Sequence, residues 1–198
     1  SVASRGLGDV YKRQVLTLLE ILSKEGVDIE LINFEKGSVN NETLDRIKRA
    51  NITWKPLDFR SKSLFDPLKR IMSLRNQISN SDVIHARSDI PAVAGYLSNA
   101  APILWDVRSL WSDQRLFLEN SLLQKQFVKS QRIFENIAAF QSKGMSTLTH
   151  AVVPELNKRH YKIPNLKIVV PTNVDLIKFS NVLPMPNKVR ILFSGTYN

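Results

Sequence analysis

One stretch constrains the fold more than any other. From Ser81 to Asp113, short apolar runs alternate with polar turns around a single helix. Asp82-Val83-Ile84 stops in His85-Ala86-Arg87-Ser88. A helix with Pro91 in its first turn follows, and Pro102-Ile103-Leu104-Trp105 then stops in Asp106-Val107-Arg108-Ser109. Proline suits a first helical turn because the N–H it lacks would have no partner there. Strand, crossover helix and strand read as a parallel pair, which brings the charged groups of both strands to one edge. In open α/β sheets that carboxyl edge is where ligands bind. His85, Arg87, Asp106 and Arg108 are therefore the first candidates for a site. Asp106 and Arg108, two residues apart in an extended segment, project to one face.

The same alternation runs through the rest of the chain. Apolar residues at 15, 18, 19 and 22 mark a helix over Val15–Glu25, with Gly26 as its C′ residue. Strands are expected at Asp28–Phe34 and Ile52–Leu57, the latter near an edge because of Pro56. Helices are expected at Asn41–Ala50 and Ser63–Ser79, and a long helical region at Arg115–Lys143 ends at Gly144. A strand at Met145–Leu148, a helix at Val153–Tyr161 and a strand at Lys167–Val170 complete the series. Five or six strands alternating with helices predict an α/β protein, a Rossmann-like three-layer sandwich with a mainly parallel sheet. The first strand, normally central in such sheets, is missing from its expected place ahead of Val15.

The ends differ from the middle. Ser1–Gln14 holds no strand-length apolar run, and RGLGDVYKRQ within it resembles a translated sequencing adapter; residues 1–14 are expected to be non-native. Gly6-Leu7-Gly8-Asp9 lacks both the preceding strand and the third glycine of a dinucleotide-binding loop. Residues 15–180 are expected to form one domain, with 181–187, which holds two prolines, as a linker. Residues 188–198 begin a second domain with the strand Lys188–Phe193 and a turn at Ser194-Gly195.

Composition narrows the chemistry. The absence of cysteine excludes disulfides, thiolate metal sites and cysteine nucleophiles. His150 and His160 have no metal-ligand spacing with each other or with His85. The net charge of +10 falls to +8 without residues 1–14, since Arg5, Lys12 and Arg13 leave with Asp9. Scattered basic residues favour phosphate-bearing ligands or an anionic membrane face over nucleic acid. On Ser63–Ser79, Leu64, Leu68, Ile71, Met72 and Ile78 share one face while Lys69, Arg70 and Arg75 fall on others. That helix either covers the sheet or touches anionic lipid. Trp105 and Trp111 read as packing residues.

These pieces, in this order, resemble the N-terminal half of glycosyltransferase family 4, which has the GT-B fold. The resemblance rests on DVIH at 82–85, WDVRSLWSD at 105–113, Glu135 in a helix, Leu148-Thr149, PTNVDLIKF at 171–179 and ILFSG at 191–195. Arg87 stands where many members carry a second histidine. The resemblance implies a retaining transfer of a sugar from a nucleotide-sugar donor to a glycan or lipid-linked acceptor, without metal or other cofactor. At the strand edge His85 suits a sugar hydroxyl in a catalytic or positioning role. Arg87 suits a phosphate or carboxylate, with an ion pair from Arg87 to Asp89 or Asp106 as the alternative. Asp106 and Arg108 either pair with each other or hold the acceptor, and Thr172 and Asn173, just after the last strand, line the cleft. Ser194 and Gly195 would form the donor-phosphate turn. The lack of cysteine fits a cytoplasmic protein, and the basic charge with the 63–79 helix suggests a peripheral place on the inner face of the cell membrane. A sugar-nucleotide epimerase of the same architecture and a basic binding domain are the alternatives.

Overall fold

The computed structural model describes residues 8–35, 39, 41–58, 65–110, 112–113, 116, 122–130, 132–160 and 162–170. The elements are α1 (Gly8–Lys24), β1 (Glu30–Glu35), α2 (Asn41–Arg49), β2 (Thr53–Asp58), α3 (Asp66–Arg75), β3 (Ile84–Arg87) and α4 (Asp89–Ser98). They continue as β4 (Ile103–Val107), α5 (Leu122–Ser130), α6 (Arg132–Gln141), β5 (Gly144–Thr147), α7 (Val152–Arg159) and β6 (Leu166–Val169). All four strand pairings are parallel, so the chain is an α/β protein of Rossmann-like build.

Three of the described helices end through left-handed residues, Gly26, Asn51 and Asn99, that turn the chain toward the next strand. Gly26 at φ 85° lets its own N–H bond to the Ser23 carbonyl and that of Val27 to the Leu22 carbonyl. This is the double closure expected of a C′ glycine. Asn51, at φ 51°, does the same after α2, its N–H reaching Lys48 and that of Ile52 reaching Ile47. Asparagine tolerates this region better than most residues. Helix α1 begins at Gly8, so Gly8 and Asp9 are helical and not part of a phosphate loop.

The strands form two groups, β1-β2 and β3-β4-β5-β6. Among the described residues no strand pairing joins the two groups. Helices α1 and α2 cover one face of β1-β2, packing Leu16, Leu19 and Ile47 on Leu31, Ile52 and Trp54. The other face of β1-β2 (Ile32, Phe34, Leu57) meets α3, α4 and α6 through Ile71, Leu74, Val93, Ala94 and Ile137. That is the three-layer arrangement. Helix α4 spans both groups, because it also packs on β3 and β4. Ala92 and Gly95 make this close approach possible: a Cβ on Gly95 would lie 3.3 Å from Ile84 Cγ2 and 3.4 Å from Ile103 Cγ1.

In β3–β6 the register assigns every side chain to one of two faces. Ala86, Ile103, Trp105, Val107 and Met145 point to the face covered by α4, α6 and α7, where Ala138, Ala139, Leu156 and Ile163 complete the core. His85, Arg87, Leu104, Asp106, Gly144, Ser146, Leu166 and Ile168 point to the opposite face. None of the apolar clusters among the described residues covers that second face, and Leu166 and Ile168 are exposed there.

In the region at 115–143 the described residues are helical at 116, 122–130 and 132–141. Two expectations need correction. Gly144 is not a helix stop but the first residue of β5; a Cβ there would lie 3.1 Å from Leu104 and 3.2 Å from Leu166. Leu68 and Met72 do not share the buried face of α3, where Ile71 and Leu74 lie; both are exposed.

Candidate functional site

The carboxyl ends of β3, β4 and β5 bring four of the expected residues together. Asp106 is buried, and its Oδ1 accepts a 2.9 Å hydrogen bond from the Ser146 hydroxyl on the neighbouring strand. Its Oδ2 faces three further groups: Arg108 Nε at 3.7 Å, His85 Nε2 at 3.8 Å and Arg87 Nε at 3.9 Å. All three lie beyond hydrogen-bond length, so Asp106 attracts them without closing a tight pair with any one.

This geometry follows from strand periodicity. Residues 85 and 87 on β3, and 106 and 108 on and just past β4, share a face because side chains alternate. Pairing of Arg87 with Asp106, and of Asp106 with Ser146, puts them in one row across the sheet. Burial holds the His85 pKa below the ordinary imidazole value. The Asp106 charge opposes that shift, and the Arg87 and Arg108 charges add to it. His85 is therefore neutral at pH 7, able to donate one hydrogen bond and accept another.

Ser88 closes the site. It adopts φ 96° and ψ 177°, a conformation nearly confined to glycine. Its N–H donates to the Asp106 carbonyl at 3.1 Å, and its carbonyl accepts from the Ala92 N–H as α4 begins. The unusual backbone reverses the direction of the side chains on either side. Arg87 stays with the open-face cluster, and Asp89 turns into the covered layer.

There a second polar network lies, one that sequence reading did not find. Buried Glu135 on α6 accepts from His160 Nε2 at 2.7 Å, and His160 Nδ1 lies 2.5 Å from Asn136 Oδ1. Arg159 approaches Glu135 at 3.9 Å, bonds Glu155 at 2.9 Å and makes a short contact with Asp113, which Arg132 also holds at 2.8 Å. Burial works against the Asp113 carboxylate, but the hydrogen bonds from Arg159 and Arg132 outweigh it and keep its pKa low. Burial and the neighbouring Glu135 charge push the Asp89 carboxyl up to about 7. The indole N–H of Trp105, which lies outside full hydrogen-bond geometry, and His160 pull the other way. Asp89 thus belongs with Glu135. The signal available in the sequence was Glu135 and His160 on two helix ends, but nothing local says that they meet.

At the edge of this network, a shallow groove of about 330 Å³ runs past Asn136, Phe140, His160 and Lys162, with the Lys162 ammonium 4.8 Å from the Phe140 ring centre. Trp105 is fully buried, as a packing residue should be. Trp111, Thr172, Asn173, Ser194 and Gly195 lie outside the described residues, as do the linker 181–187 and the segment 188–198. Among the described residues no helix is long and apolar enough to cross a membrane. No family model and no curated protein matches the chain.

Proposed function

We propose that the chain is the acceptor-side part of a retaining glycosyltransferase, using a nucleotide-sugar as co-substrate and a glycan or lipid-linked acceptor. One observation carries this reading: His85, Arg87 and Arg108 converge on Asp106 at the carboxyl edge of a parallel sheet. A guanidinium offers a planar fork that matches phosphate oxygens. Neutral His85 can accept a proton from a sugar hydroxyl or hold that hydroxyl in place. Asp106 keeps both arginines in position at a distance that a bound anion can exploit, since none of the three contacts is a closed hydrogen bond. Thr172 and Asn173 on the cleft, and Ser194 and Gly195 at the donor phosphate, keep the roles that the family resemblance implies.

Calorimetric titration with glucose 1-phosphate tests the reading, with inorganic phosphate as the reference anion. We expect saturable binding of the sugar phosphate that tightens as the pH falls from 8 to 6. A bound anion raises the depressed pKa of His85, so the complex takes up a proton. Arg108→Gln should lower the affinity by about tenfold or more, the size of one charge-assisted hydrogen bond, with the melting temperature nearly unchanged. No saturable binding, or binding indifferent to Arg108→Gln, would sink the proposal. Equal binding of single-stranded DNA with a steep salt dependence would move the chain to the class of basic nucleic-acid modules.

A further inference from the structure

We infer that α3 docks the protein on an anionic membrane surface through an outward apolar stripe bracketed by two cations. The helix is amphipathic twice over. Ile71 and Leu74 are buried, at 2% and 5% exposure, and anchor it to the core. On its back, Phe65, Leu68 and Met72 are 67%, 53% and 46% exposed. At about 100° per residue, Arg75, Leu68, Met72, Phe65 and Lys69 follow one another around a single arc, so a basic residue flanks the stripe on each side. Lys69 and Arg75 are both exposed. The acidic residue of this helix, Asp66, is buried and away from the arc. Arg75 Nε also donates to the Leu97 carbonyl at 3.0 Å, which places exposed Leu97 of α4 beside the stripe.

This pattern fits the boundary between lipid headgroups and acyl chains, where apolar side chains insert and flanking cations meet lipid phosphates. The overall charge of +10 adds a general attraction. A second copy is a poorer occupant, because two such faces would oppose Lys69 and Arg75 with their own like charges. A bound peptide is poorer as well. The stripe is the convex back of a helix, and amphipathic peptides seek grooves. The inference does not depend on what the sheet-edge site binds.

Co-sedimentation of the 198-residue chain with vesicles tests it, using phosphatidylcholine alone and phosphatidylcholine containing 30% phosphatidylglycerol. We expect at least tenfold stronger partitioning to the anionic vesicles at low salt, since each surface cation contributes about fivefold. Leu68→Glu/Met72→Glu should abolish binding with an unchanged circular dichroism spectrum, since both positions face outward. Lys69→Glu should weaken binding about tenfold or more. Lys158→Glu is the charge-matched control at an exposed position of α7, its side chain 77% exposed, and should change binding little. Equal binding to both vesicle types overturns the inference, as does an equal loss with Lys158→Glu. Vesicle binding untouched by the Leu68→Glu/Met72→Glu pair also overturns it. If that pair instead abolishes self-association seen without lipid, the stripe is a protein interface and the inference fails.

Discussion

The two polar clusters on either side of β3 and β4 are built to opposite rules. On the covered side, Glu135 holds His160 at 2.7 Å, and Arg159 bonds Glu155 at 2.9 Å and makes a shorter contact with Asp113, which Arg132 holds at 2.8 Å; Arg159 and Glu135 themselves lie 3.9 Å apart. On the open side, Asp106 makes one such bond, to Ser146, and attracts three basic groups at 3.7–3.9 Å. A buried network must be closed, because an unpartnered charge in a low dielectric is costly. A cluster that is to exchange its ion contacts for a ligand must not be closed. The comparison teaches that direct hydrogen bonds dominate on the covered side, which also raises the Asp89 carboxyl to about 7, while longer ion contacts dominate on the open side.

The sharpest way to break this contrast is to remove the centre of the closed network. Glu135→Ala leaves buried His160 and Arg159 facing a void, and should cost about 3–5 kcal/mol. The thermal midpoint would fall by roughly 10 °C, with no direct loss of anion binding at Asp106. A loss of binding at a temperature where the variant is still folded would show that the two clusters are one site.

A pH series sharpens the comparison further. The folded-state pKa of Asp89 is raised, to about 7, so the folded protein holds this proton more firmly than the unfolded chain does. The resulting stability is complete below the unfolded value near 4 and is lost as the pH rises through 7. The loss is on the order of 2–4 kcal/mol. Asp89→Asn should therefore raise the melting temperature at pH 8 and leave it unchanged at pH 4. Equal effects at both values would mean that the carboxyl is not enclosed as described.

The smallest effect concerns the hinge between the clusters. Ser88→Gly relieves a backbone conformation that a side chain disfavours, and should stabilise the protein by about 1 kcal/mol in chemical denaturation. If the strain serves to aim Arg87, the same variant will bind glucose 1-phosphate less tightly while being more stable. If binding is unchanged, the strain is a consequence of packing α4 against β3.

Much of this molecule is local and was legible in the chain. Alternation with a period of 2 placed His85 with Arg87 and Asp106 with Arg108 on shared faces. Apolar spacing near 3.6 residues and Gly26 marked the first helix and its end, and the order of strands and helices implied parallel pairing. Tertiary structure decided what depends on contacts between distant residues. Only the crossovers that bring α6 and α7 to the same layer could join Glu135 to His160, which are 25 residues apart. Only the turn at Ser88 could send Asp89 away from Arg87. Helical periodicity grouped Leu68 and Met72 with Ile71, yet it cannot say which apolar face a helix buries. Packing against β1 and α4 took Ile71 and Leu74, and left Leu68 and Met72 to the outside. Local periodicity is a property of the backbone alone, whereas partner choice is set by where the crossovers bring elements together.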